Sequence, residues 1–131
     1  MPRSILRWHH VPAGTSGGIT LWGTIASVAG AALIAVIAAL GGWPRGPILA
    51  SAAGGIVGFL GDSILGASIQ GRRWCERCRA ATEQFAHTCG APTRPAGGLA
   101  WVDNDAVNFI SAVLGAAAAV SIFAQFGVND L

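Results

Sequence analysis

Three observations predict an all-α polytopic membrane protein with three transmembrane helices and a cytoplasmic Cys/His loop. Of 131 residues, 53% are hydrophobic and 11% are charged, less than half the roughly 25% charge of a typical soluble domain. The apolar residues collect into three long stretches, about residues 18–42, 48–69 and 105–128. All eight basic residues are arginine, and a three-crossing chain puts every one except Arg45 on the same side. This composition excludes a disordered polypeptide, which needs low hydrophobicity and high charge. It also excludes a nucleic-acid binder, because six acids offset arginines that are scattered between apolar blocks. Residues 1–131 read as one membrane domain, with 70–100 as its long loop.

The first stretch, Gly18 to Gly42, holds nothing more polar than Thr20, Thr24 and Ser27. The second, Ile48 to Ile69, carries one charge, Asp62, and the third, Ala106 to Val128, is interrupted by Asn108, Ser111, Ser121 and Gln125. At about 1.5 Å per residue, each reaches roughly 33 Å or more, enough for a hydrocarbon core of about 30 Å. A soluble domain of this size has no use for three helices that are apolar on every face. The first stretch is no signal peptide: it starts late, runs long, and leads into Trp43-Pro44-Arg45 instead of a small-residue cleavage site. Trp8, Trp43, Trp74 and Trp101 flank the stretches, where amphipathic rings favour the headgroup level.

Orientation follows from arginine. Arg3 and Arg7 precede the first stretch, and Arg72, Arg73, Arg77, Arg79 and Arg94 fill the 70–100 loop. The positive-inside rule places the N-terminus and this loop in the cytoplasm and the C-terminus outside, in a cell inner membrane.

Within the spans, Gly54, Gly58, Asp62 and Gly66 recur every four residues and share one helix face. Such a small-residue face lets another backbone approach closely. An intramembrane carboxylate such as Asp62 must face protein, water or a cation, or hydrogen-bond to a neighbouring helix in its protonated form. The third span opens with Trp101-Val102-Asp103-Asn104-Asp105-Ala106-Val107-Asn108. Asp103 or Asn104 can cap the helix, while hard oxygen ligands crowded at its start also suit Mg²⁺ bound to phosphate. Asp105, Asn108, Ser111 or Ala112, and Gly115 fall on one face by helical spacing. Before the first span, Gly14-Thr15-Ser16-Gly17-Gly18 is a turn whose backbone N–H groups can cradle an anion. It lacks the Gly-Lys-Ser/Thr ending of a nucleotide P-loop. In the loop, Cys75, Cys78, His87 and Cys89 match a structural Zn²⁺ in number and type, with free thiols the alternative. The odd cysteine count argues against a disulfide framework.

Val11-Pro12-Ala13-Gly14-Thr15-Ser16-Gly17-Gly18-Ile19-Thr20, Gly61-Asp62-Ser63-Ile64-Leu65-Gly66-Ala67-Ser68-Ile69-Gln70 and Asp103-Asn104-Asp105-Ala106-Val107-Asn108 resemble three motifs of an integral-membrane family. It is known as domain of unknown function ninety-two and includes transmembrane protein nineteen. The resemblance covers roughly residues 9 to 123, and some members carry a similar Cys/His loop. One characterised branch contains plant phytyl-phosphate kinase. The resemblance therefore implies a membrane phosphotransferase acting on a polyprenyl or phytyl phosphate at the expense of a nucleoside triphosphate. Asp62, Asp103, Asn104, Asp105 and Asn108 would then form the catalytic, Mg²⁺-holding set. Gly14, Thr15, Ser16, Gly17 and Gly18 would cradle phosphate, with Arg72 and Arg73 pairing its remaining charge, and the prenyl tail would lie in membrane lipid. Family members also carry a further membrane half upstream, so the sequence resembles a C-terminal half completed by that half or by a partner chain. Two other classes compete: half of an ion-coupled transporter using Asp62, and a non-catalytic membrane fragment or subunit.

Overall fold

The computed structural model describes residues 1–126. Three helices dominate: α1, Leu21–Leu40; α2, Arg45–Ser68; and α3, Asn104–Phe126. With 20, 24 and 23 residues they are long and apolar enough to cross a membrane. The expected end of the third span at Val128 lies outside the described residues. Local chemistry sets the helix ends. The Thr20 hydroxyl accepts from the Gly23 N–H at 2.9 Å and caps α1. Gly42, at φ +75°, turns the chain away after α1. Pro44 precedes α2, and Pro47 sits in its first turn, where a missing N–H costs nothing. Asp103 caps α3, its Oδ1 accepting from the Ala106 N–H at 2.9 Å.

The helices pack through small residues, with α2 in the middle. A Cβ placed on Gly54 would lie 2.8 Å from the Gly115 carbonyl oxygen, and one on Gly115 would lie 2.7 Å from that of Gly54. Gly58 faces the Ser111 carbonyl, and Gly61 faces Leu114 and Ser111. Residue numbers rise on α2 as they fall on α3, so the pair is antiparallel. On its other side α2 meets α1, where a Cβ on Gly55 would lie 2.8 Å from that of Ala31. Large apolar side chains point the other way: Leu33, Ile34, Ile37, Phe109, Val113 and Val120 are all exposed. Small inside and large outside inverts the soluble pattern, and such continuous apolar surface calls for lipid.

The chain is not purely helical, which corrects the all-α expectation. Strands β1 (Arg3–Ser4) and β2 (Gly18–Ile19) form an antiparallel pair ahead of α1. Residues 70–100 hold a three-stranded sheet of β3 (Arg72–Cys75), β4 (Ala80–Thr82) and β5 (Arg94–Gly97), in the order β4-β3-β5. Strands of three or four residues are too short to carry a visible alternation of polar and apolar positions. The pairing of Arg72 with Gly97 also bridges a stretch of sequence that no local pattern predicts.

Candidate functional site

The sequence-predicted residues gather at one end of the bundle, where α1 begins, α2 ends and α3 begins. The Gly14–Gly18 turn lies directly on the last turns of α2. A Cβ on Gly66 would sit 2.9 Å from the Gly17 backbone nitrogen, and one on Gly17 would collide with Ala67. Gly17 holds φ +69°, so both space and backbone require glycine there. The Ile5 N–H donates to the Gly17 carbonyl at 3.1 Å, tying in the N-terminal hairpin. From the loop side, the Ser16 hydroxyl donates to the Glu83 carboxylate. Around this turn is a cavity of about 230 Å³ lined by Ser4, Arg7, His9, Thr15, Ser16, Ser68 and Arg72, among others. Two guanidinium groups and several hydroxyls around one small space suit a phosphate.

A second cavity of about 350 Å³ lies between the small sheet and the start of α3. Arg72 lines both cavities. Arg73, Glu83, Phe85, Trp101, Asp103 and Asn104 also line the larger one. The Arg73 side chain is already committed: Nε donates to Thr93 Oγ1 at 2.8 Å and Nη2 to the Thr93 carbonyl at 2.6 Å. Burial pushes the Glu83 carboxyl above the usual carboxylate range, and a hydrogen bond from Gln70 partly offsets it.

Asp62 is half-buried, between Gly58, which faces Ser111, and Gly66, which faces the glycine-rich turn. One turn past Gly58 on α2 is level with one turn before Ser111 on α3, namely Val107 and Asn108. The α3 face that packs on α2 is Val107, Ser111 and Gly115, whereas Asp103, Asn104, Asp105 and Asn108 are exposed. Among the described residues, the carboxylates of Asp62, Asp103 and Asp105 are not drawn into one ligand cluster. Sequence reasoning did not select Arg7, Ser68, Glu83, Gln70 or Phe85. Arg7 beside Trp8, and a glutamine straight after a span at Gln70, were the signals available.

The Cys/His residues do converge. One ligand atom from each of Cys75, Cys78, His87 and Cys89 lies within 4.8 Å of the others, and the Cys75 and Cys89 sulfurs are 3.8 Å apart. Cys75 ends β3, and Cys75 pairs with Ala80 across the first hairpin. A bridge between Ala86 and Pro92 closes the second. The residue after each hairpin's last cysteine adopts a left-handed backbone, Arg79 at φ 51° and Gly90 at φ 80°, which folds each hairpin tip around its sulfur. A backbone hydrogen bond from Ala91, joined by His87, lowers the Cys89 thiol to about 6. Hydrogen bonding with Cys89 raises the exposed Cys78 thiol to about 11. The His87 Nδ1 is buried with no hydrogen-bond partner.

Three long apolar helices, with paired cavities at one end of the bundle, define a polytopic integral membrane protein. The chain belongs to the family described as integral membrane protein DUF92, whose model matches residues 1–116. It is similar to an uncharacterized membrane protein of Methanocaldococcus jannaschii, 44% identical over 66 residues. That match covers 50% of this chain and 28% of the relative. No solved structure matches the chain.

Proposed function

We propose that the chain is the C-terminal half of a membrane phosphotransferase that converts a prenyl monophosphate to the diphosphate. The observation that carries this reading is the smaller cavity, where Thr15 and Ser16 of the glycine-rich turn meet Arg7, Ser68 and Arg72 at the end of α2. In the reaction, an oxygen of the prenyl phosphate attacks the terminal phosphorus of a nucleoside triphosphate. The bond to the departing nucleoside diphosphate breaks with its electron pair, and no general base is required. Catalysis of this kind rests on positioning and charge neutralisation. Arg7 and Arg72 neutralise phosphate oxygens, the turn orients them, and the prenyl tail extends into lipid along α2. Mg²⁺ would be held by one or two carboxylates of the set Asp62, Asp103 and Asp105, with Asn104 and Asn108 adding polar contacts, and would supply charge neutralisation. Such an ion commonly takes few protein carboxylates, with phosphate oxygens and water filling the rest of its shell.

Cys75, Cys78, His87 and Cys89 would hold a structural Zn²⁺, a role supported by three thiols and a buried, unpartnered imidazole nitrogen within 4.8 Å. The arginine distribution supports a cytoplasmic face for the site in a cell inner membrane. The remainder of the family's length would come from a partner chain or an upstream half.

The test is incubation of protein reconstituted in lipid with prenyl monophosphate, Mg²⁺ and each nucleoside triphosphate, with diphosphate read by mass spectrometry. Formation of diphosphate that falls with Arg72→Ala and Asp62→Asn is expected. No diphosphate with any nucleotide refutes the reading, and full turnover by Asp62→Asn removes Asp62 from it. The half-buried Asp62 in a glycine-rich span favours a second reading, half of an ion-coupled transporter. Nucleotide-independent ion uptake into proteoliposomes would identify that activity.

A further inference from the structure

The larger cavity is left over once the lipid phosphate is placed. Its two aromatic rings, Phe85 and Trp101, are 76% and 71% exposed. Phe85 is exposed yet held. The Arg73 guanidinium stacks 4.3 Å from the centre of its ring, and the two bonds to Thr93 fix that guanidinium in turn. Thr93 is only 9% exposed, and its hydroxyl lies 2.6 Å from the Gln84 carbonyl oxygen and 2.9 Å from that of Phe85. One ring face is therefore covered and anchored through a buried residue, while the ring borders an open cavity. A platform already fixed before binding spares a flat ligand the cost of ordering it. At about 350 Å³ the space falls at the small end of the range for small-molecule sites. Of its charged side chains, Arg73 is held by Thr93, Glu83 by Ser16 and Asp103 by the cap of α3, which leaves Arg72 for an anion.

We propose that this cavity binds a nucleotide. Its base stacks on Phe85 and Trp101, and its phosphates point to Arg72. Because Arg72 also lines the smaller cavity, phosphates arriving from the two sides meet at one guanidinium. The direction assigned to the phosphates rests on the phosphotransfer reading, whereas the base platform stands on the ring geometry.

Calorimetry on the detergent-purified protein tests this with three probes: MgATP, MgCTP and inorganic triphosphate. At least one nucleotide should bind roughly tenfold or more tightly than inorganic triphosphate, the scale of a stacked base. Trp101→Ala and, separately, Phe85→Leu should erase most of that advantage and leave triphosphate affinity unchanged. Trp101 is a largely exposed ring, so its removal keeps the test open if Phe85→Leu fails to fold. Triphosphate binding as tightly as both nucleotides overturns the proposal. So does unchanged nucleotide affinity in both variants with weakened partition into anionic vesicles, which would make the rings membrane anchors. Nucleotide binding without prenyl diphosphate formation would keep the site and refute the phosphotransfer reading. Prenyl diphosphate formation with an unchanged nucleotide KM in Trp101→Ala would do the reverse.

Discussion

Glycine-to-alanine substitution should have opposite effects at two helical positions of this protein. At Gly54 the new methyl would lie 2.8 Å from the Gly115 carbonyl oxygen and 3.0 Å from the Ala119 Cβ. Ordinary contact begins at 3.4 Å, so α2 and α3 must separate by about 0.6 Å along their closest approach. Lipid supplies no hydrophobic drive for helix association, so van der Waals contact along this seam largely holds the pair together. Overpacking of this kind costs about 1–3 kcal/mol, partly offset by the better helix propensity of alanine, about 1 kcal/mol. At Gly30 on α1 a methyl meets nothing within 4 Å, and only the propensity gain remains. Denaturation in mixed detergent should rank Gly30→Ala at or above the parent protein and Gly54→Ala below it. Gly115→Ala should resemble Gly54→Ala, since its methyl would lie 2.7 Å from the Gly54 carbonyl. The double variant should cost less than the sum, because one separation accommodates both methyls. Equal stability of the Gly54 and Gly30 variants would refute the close-packed seam.

Other consequences are as direct. The protein purified without chelator should contain one Zn²⁺ per chain by elemental analysis, and Cys78→Ser or Cys89→Ser should lower its retention during dialysis against a chelator by tenfold or more. Gly17→Ala should displace the turn from Ala67 and weaken phosphate binding, read by calorimetry with a soluble prenyl phosphate, with little change in helix content by circular dichroism. The raised Glu83 carboxyl favours the protonated form in the folded protein. Folded Glu83 thus holds its proton to higher pH than unfolded Glu83, and stability should fall as pH rises from the ordinary carboxylate range through the folded value. Glu83→Gln, an amide that still accepts from Ser16, should remove that part of the slope in denaturation midpoints measured against pH.

The helices were legible because Leu21–Leu40 and its two counterparts are long and predominantly apolar, a pattern that only lipid rewards. The α2–α3 seam was legible too, since Gly54 and Gly58 sit at helical spacing and do meet α3 closely, while Gly66 in the same register meets the glycine-rich turn instead. The sheet was not legible, because Arg72–Cys75 and Arg94–Gly97 are too short for periodicity and pair across a long interval. The α3 polar face was only partly legible: spacing grouped Asp105 and Asn108 with Ser111 and Gly115, but the buried stripe runs through Val107 instead. The cavities draw Arg7, Thr15, Ser68 and Arg72 from segments scattered along the chain. Residues brought together by two membrane crossings share no spacing that a linear reading can detect.

The Ser16–Glu83 hydrogen bond joins groups 67 residues apart, and this sets a timetable for biogenesis. At about 5–20 residues per second, the ribosome delivers Glu83 roughly 3–13 s after the glycine-rich turn has left it. Until then the turn waits without its clasp, and two helices must already have been handed to the insertion machinery before it can close. Nascent chains stalled ahead of Glu83 would therefore present residues 14–18 open to protease, and chains released beyond it would not.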